Sequence, residues 1–177
     1  MHYLKNITAA ILFFIPFFVS AQGDDVIQWS PTKLTWNDYL AKPAATDDAA
    51  VITSTALGMG YHVKDNVLSY KITSSFCKTK SWGRYRSDYI LSHEQGHFDI
   101  TEIFARKLAK AIDEYEFNPK TFRTDLDNIY QRVMNDKEEY QELYDHGTDY
   151  SRDKNMQAEW LKKIARELAE LEEWAEH

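Results

Sequence analysis

From Ser87 to the C-terminal end, apolar and charged residues recur at spacings of three and four, and this sustained helical period constrains the fold more than any other feature. Three helices are predicted. The first runs from about Ser87 to Tyr115, interrupted only by Gly96, and stops before Asn118 and Pro119, because a residue ahead of proline is driven out of the helical region. Phe122, Leu126, Ile129, Tyr130, Val133 and Met134 mark a second helix from about Thr121 to Leu143. The third begins near Ser151, a residue suited to an N-cap, and carries Met156, Trp160, Ile164, Leu168, Leu171 and Trp174. A polar loop from Asp145 to Tyr150 separates the last two.

The chain ahead of Ser87 has a different period. Val51 to Val63 and Val67 to Phe76 are rich in Val, Ile, Thr and Tyr with approximate alternation, and Lys64, Asp65 and Asn66 between them have turn chemistry, so a β-hairpin is predicted. Gly58 and Gly60 mark a bulge or a close approach within its first strand. Before it, Trp29 to Tyr39 reads as an extended entry and a short helical turn, and Lys42 to Ala50 as a small, polar linker. Strands first and helices after them point to the α+β class: a small antiparallel sheet or hairpin packed on three α-helices, with the first helix central.

Lys5 followed by the apolar run Ile7 to Val19, closed by the small residues Ser20 and Ala21, has the form of a cleavable export signal. The run contains Pro16 and is shorter than the ~20 residues of a membrane-spanning helix. Residues 1–21 are therefore expected to be a signal peptide, and residues 22–177 a single domain, secreted or periplasmic, with no membrane span after signal removal. A net charge of -7 with acidic groups spread along the chain disfavours nucleic acid or an anionic membrane as partner. Cys77 is the only cysteine, so no intramolecular disulfide is available, and its strand-like setting suits a half-buried small hydrophobe.

Chemistry enters at His93, Glu94, Gln95, Gly96 and His97, an HExxH motif within the first predicted helix. The two histidines are about 40° apart around a helix and one turn apart along it, so both imidazoles can reach one cation, with Glu94 beside them as a general base. Ile100, Phe104 and Leu108 share the side of the helix on which the histidines lie, whereas Asp99, Glu102, Arg106, Lys110 and Asp113 form a polar stripe. Two interior imidazoles stacked one turn apart beside a carboxylate are costly to satisfy without a cation. Asp99 and Glu102 read as solvated salt-bridge partners, Trp160 and Trp174 as core, and Tyr144 as a packing residue rather than an oxyanion support.

The run Leu91-Ser92-His93-Glu94-Gln95-Gly96-His97-Phe98-Asp99-Ile100, followed by Glu102 and Arg106, resembles the helix of bacterial proteins grouped as domain of unknown function 922, which are predicted secreted zinc proteases. The likeness extends to Trp36, the hairpin, Ser81, Trp82, Gln157 and Trp160. It implies a zincin-like α+β fold, a zinc cofactor and peptidase activity. The pattern that follows the second helix in that family, Tyr-Asp-x-x-Thr-x-His, stands here as Tyr144-Asp145-His146-Gly147-Thr148-Asp149-Tyr150, with tyrosine in the place of histidine.

A catalytic zinc takes three protein ligands, so a third is needed beside His93 and His97. The metzincin extension does not supply it, since Ile100 and Ile103 occupy its glycine and histidine positions. His146 is the first choice, with Asp145, Asp149, the Tyr150 phenolate and Glu142 as alternatives. The function expected is a zinc-dependent metallopeptidase acting on a peptide or protein substrate, with Glu94 as base. A non-catalytic periplasmic or surface metal-binding protein with a degenerate site is the competing reading, and a non-peptidase metal hydrolase would use the same residues.

Overall fold

The computed structural model describes residues 25–45 and 49–177, and the predicted export signal lies outside them. Among the described residues the strands are β1 (Val26–Gln28), β2 (Val51–Ile52), β3 (Thr55–Lys64), β4 (Val67–Cys77) and β5 (Trp82–Gly83), and the helices are α1 (Asp88–Asp113), α2 (Phe122–Gly147) and α3 (Lys154–Glu170). The class is α+β, with three helices packed against small antiparallel sheets. No helix among the described residues is long and apolar enough to cross a membrane.

The hairpin forms because Asp65 and Asn66 accept positive φ, 52° and 62°, and so make a two-residue turn whose twist matches the strands. Lys64 belongs to β3 and pairs with Val67 rather than joining the turn. Gly58 lies opposite Thr73, where a Cβ would stand 2.7 Å from the Thr73 hydroxyl, so this glycine answers a close approach. β4 is central, flanked antiparallel by β3 and β1. The predicted first strand is broken at its start, since Val51 and Ile52 leave the hairpin and pair with Gly83 and Trp82. Ser54 holds the break, its N–H donating to Ser81 Oγ at 2.9 Å and its carbonyl accepting from Cys77 N–H at 2.8 Å. Cys77 is a free, partly buried thiol at the end of β4.

α1 starts at the Ser87 N-cap, whose hydroxyl accepts from Ile90 N–H at 3.2 Å, and it is the central element. Leu57 and Ile72 of the sheet meet Ile100, Ile103, Phe104 and Leu108 of α1, and Leu126 and Val133 of α2 with Ile164 of α3 complete the core. Trp160 and Trp174 pack against it from the rim. A second cluster of Leu34, Tyr39, Phe76 and Phe98 fastens the entry segment to α1.

The polar stripe of α1 corrects the expectation of a solvated face. Asp99, Glu102 and Arg106 are all buried, because the entry segment and the C-terminal turn close over that side. Asp99 accepts from Trp29 Nε1 at 2.9 Å, Lys33 Nζ at 2.9 Å and Gln95 Nε2 at 2.8 Å. Arg106 pairs with Glu102 at 2.9 Å, donates to the Leu168 carbonyl at 2.7 Å, and lies over the Trp29 ring. The helix boundaries also shift. α2 runs on to Gly147 and takes Asp145 and His146 out of the expected loop, while the N-cap of α3 is Asp153, not Ser151, its carboxylate accepting from the N–H groups of Asn155 and Met156.

Candidate metal centre

α1 and the last turn of α2 converge on one point. His93 Nε2 and His97 Nε2 each lie 3.1 Å from the same oxygen, Asp145 Oδ1, and 3.2 Å from each other. These three atoms form a nearly equilateral triangle, and among the described residues they are the group of imidazole, thiolate or carboxylate ligands that could hold a metal ion. His146, the expected third ligand, is not brought to it. Successive residues of a helix project about 100° apart, so a helix that aims Asp145 at the histidines turns His146 away. His146 is exposed, its Nδ1 3.3 Å from the Tyr150 hydroxyl, and Glu142, Asp149 and Tyr150 are exposed as well.

The histidines are held from behind by α2. Tyr144 stacks on the His93 ring with centroids 4.6 Å apart and planes 16° apart, meets His97 edge-on, and donates its hydroxyl to the His93 carbonyl at 3.2 Å. That hydroxyl is spent on the backbone, and burial, with the charges of Glu94 and Asp145, raises its pKa far above the ordinary phenol value. Gly96 makes the packing possible: a Cβ there would stand 2.8 Å from Tyr144 Cζ and collide with the hydroxyl. Gln141, one turn before Asp145, accepts from His97 Nδ1 at 2.5 Å through Oε1 and donates Nε2 to the His97 carbonyl at 3.0 Å. This clasp puts the imidazole proton on Nδ1 and leaves the Nε2 lone pair facing the triangle.

The electrostatics follow from the same contacts. Burial acts to lower the pKa of His97, but the hydrogen bond and charge of Asp145, the charge of Glu94 and the Gln141 bond hold it above the usual histidine value. Burial likewise acts to raise the Asp145 carboxyl, and the two imidazoles outweigh this and hold it well below the usual carboxylate range.

Glu94 stands beside the triangle, its Oε2 accepting from the Thr53 hydroxyl at 2.6 Å. Thr53 has spent its one hydrogen on Glu94, so the 2.8 Å contact between Thr53 Oγ1 and Tyr39 is donated by the tyrosine. Burial first, with the nearby Glu94 and Asp38 carboxylates, keeps the Tyr39 phenol protonated. Thr53 occupies the break between β2 and β3, which is why it can reach α1. All of these groups open onto a cleft of about 900 Å³ walled by residues 49–55 on one side and by Lys137, Gln141 and Asp145 of α2 on the other.

Sequence reasoning found His93, Glu94 and His97 and held Asp145 only as an alternative; Thr53 and Gln141 were missed. Gln141 lies four residues before Asp145 and shares its face once α2 is extended, whereas no local pattern marks Thr53. No curated protein and no solved structure matches this chain. A profile of the bacterial proteins of unknown function DUF922 matches residues 20–153, most of the chain and all of the groups just described. On that match, the chain belongs to the DUF922 family of bacterial proteins.

Proposed function

We propose that this protein is an exported zinc-dependent metallopeptidase in which His93, His97 and Asp145 hold the metal and Glu94 is the general base. The observation that carries this is the triangle of 3.1, 3.1 and 3.2 Å beside a carboxylate at the floor of an open cleft. Ligand atoms about 2.0–2.1 Å from a shared tetrahedral zinc would stand about 3.3–3.4 Å apart, so the donor set fits this ion to within about 0.3 Å. Two neutral imidazoles and one ionised carboxylate are also a donor set that zinc favours. When bound, zinc supplies a Lewis acid that activates water and polarises a carbonyl.

The protein's own groups do the rest. Glu94, steadied by Thr53 at one oxygen, keeps the other free to take a proton from the attacking water and to hand it to the leaving amine. A purely structural site has no use for such a base. Gln141 and Tyr144 keep both imidazoles oriented while charge changes beside them. The cleft wall supports a peptide as substrate. Antiparallel pairing engages alternate residues, and Ala50 and Ser54 turn towards Arg84 and Ser81. Val51 and Thr53 therefore present their backbone groups on the opposite edge, where an extended chain can add as a strand.

The test is metal analysis joined to turnover of a peptide library. The purified protein should hold close to one zinc per chain, and Glu94→Gln should keep the zinc while lowering hydrolysis by about 10²-fold or more. A protein that takes up no zinc from micromolar solution refutes the proposal. Zinc uptake without cleavage of any peptide would assign the chain to the metal-binding alternative.

A further inference from the structure

Lys137 is a buried cation on the wall of the cleft. It lies on α2 at four and eight residues before Gln141 and Asp145, hence on the same face of the helix, and only 4% of it is exposed. An ammonium carries three donors. Its one hydrogen bond runs to Glu138 Oε1 at 2.6 Å, and the Glu138 side chain is 63% exposed, a counter-ion that solvent or a ligand can draw aside. The other two donors have no acceptor among the described residues. A position needed only for packing is better filled by an apolar side chain, because a buried charge is costly unless it is paired and hydrogen-bonded. Arg152, the other cation on the cleft, differs: it is mostly exposed and tied to Asp149 at 2.6 Å.

We infer that Lys137 is a carboxylate-recognition residue, and that the substrates of this cleft carry an acidic side chain or a chain-terminal carboxylate at a set distance from the bond that is cut. This rests on the peptidase reading above. Eight helical residues place Lys137 about 12 Å from Asp145 along the axis, which an extended peptide covers in about three to four residues. A ligand carboxylate arriving there completes the hydrogen bonding of the ammonium, and a neutral isostere does not.

The experiment uses the zinc-loaded Glu94→Gln protein, which binds without cutting, and labelled peptides read by fluorescence anisotropy. One set carries Glu or Gln at successive positions and a second ends in a free acid or an amide, which separates the two sources of carboxylate. One position is expected to favour the carboxylate by about tenfold or more, the range for a hydrogen bond to a charged group. Lys137→Met should erase that preference while leaving zinc content and the affinity for the neutral peptide unchanged. Lys137→Glu should transfer the preference to a lysine peptide. Equal affinities for charged and neutral peptides in the parent protein overturn the inference and leave the peptidase reading intact, and this comparison needs no Lys137 variant to fold. A preference that persists in Lys137→Met overturns it too. Failure to bind any peptide, by contrast, removes the peptidase reading and this site with it.

Discussion

Replacing Gly96 by alanine tests the packing that joins α1 to α2 behind the metal centre. Intrinsic propensity alone makes the change favourable, since alanine in a helix interior is better than glycine by about 1 kcal/mol. The structure predicts the opposite sign. The new methyl would meet Tyr144 at 2.8 Å from Cζ and still closer at the hydroxyl. Tyr144 has no room to yield, because it is fully buried, stacked on His93 and in edge contact with Trp160. Overpacking of this kind costs about 1–3 kcal/mol, and displacing the hydroxyl from the His93 carbonyl about 1 more. After the propensity gain is subtracted, a net loss of about 1–3 kcal/mol remains. Because Asp145 follows Tyr144 directly, a backbone shift that makes room for the methyl also displaces the proposed third ligand. The assay is denaturant unfolding of the metal-free protein together with zinc titration, run as a double-mutant cycle with Tyr144→Phe. The phenylalanine removes the nearest of the colliding atoms and leaves the ring carbons, so the cost of Gly96→Ala should shrink in its presence without vanishing. A Gly96→Ala protein as stable as its parent, with unchanged zinc affinity, would refute this account of why glycine stands within the motif.

The remaining predictions separate the metal centre from its supports. Asp145→Asn should weaken zinc binding by more than the 10- to 100-fold typical of outer-shell changes, while His146→Ala stays within a few fold; titrations giving the reverse order would return the third ligand to His146. Thr53→Val should leave zinc affinity intact and lower kcat by about tenfold, with Thr53→Ser restoring it, because only the hydroxyl steadies Glu94; equal activity in the valine and serine forms would deny Thr53 that role. Asp99→Ala should cost about 2–4 kcal/mol in denaturant unfolding, since it strands the part-buried Trp29 and buried Gln95 donors, whereas a loss within about 0.5 kcal/mol would restore the solvated-stripe reading.

Much of the candidate metal centre was legible because His93, Glu94 and His97 lie within one turn of one helix, where spacing alone brings their side chains together. The third corner of the triangle, Asp145, was not legible for a local reason. Helix ends are weakly signalled, and Gly147 and the polar run around it read as a loop, so Asp145 and His146 looked equally free to turn inward. Once α2 extends through Gly147, helical geometry permits only one of them to face α1. The burial of Asp99, Glu102 and Arg106 was hidden for a different reason. A helix periodogram assumes one solvated side, and α1 has none along that stretch because Trp29, Lys33 and the turn at Glu172–Trp174 come from opposite ends of the chain to cover it.

By itself the sequence determined what depends on near neighbours: three helical stretches, a hairpin with its Asp65-Asn66 turn, and two imidazoles poised on one face beside a carboxylate. Only the tertiary structure decided which oxygen completes the triangle, that Thr53 rather than solvent holds Glu94, that Gln141 sets the His97 proton, and that Lys137 faces the cleft. The contacts behind the first three of those choices, His93 with Asp145, Thr53 with Glu94 and Gln141 with His97, join residues 41 to 52 positions apart. Contacts so distant are set by how helices and strands pack as bodies, which no local period encodes.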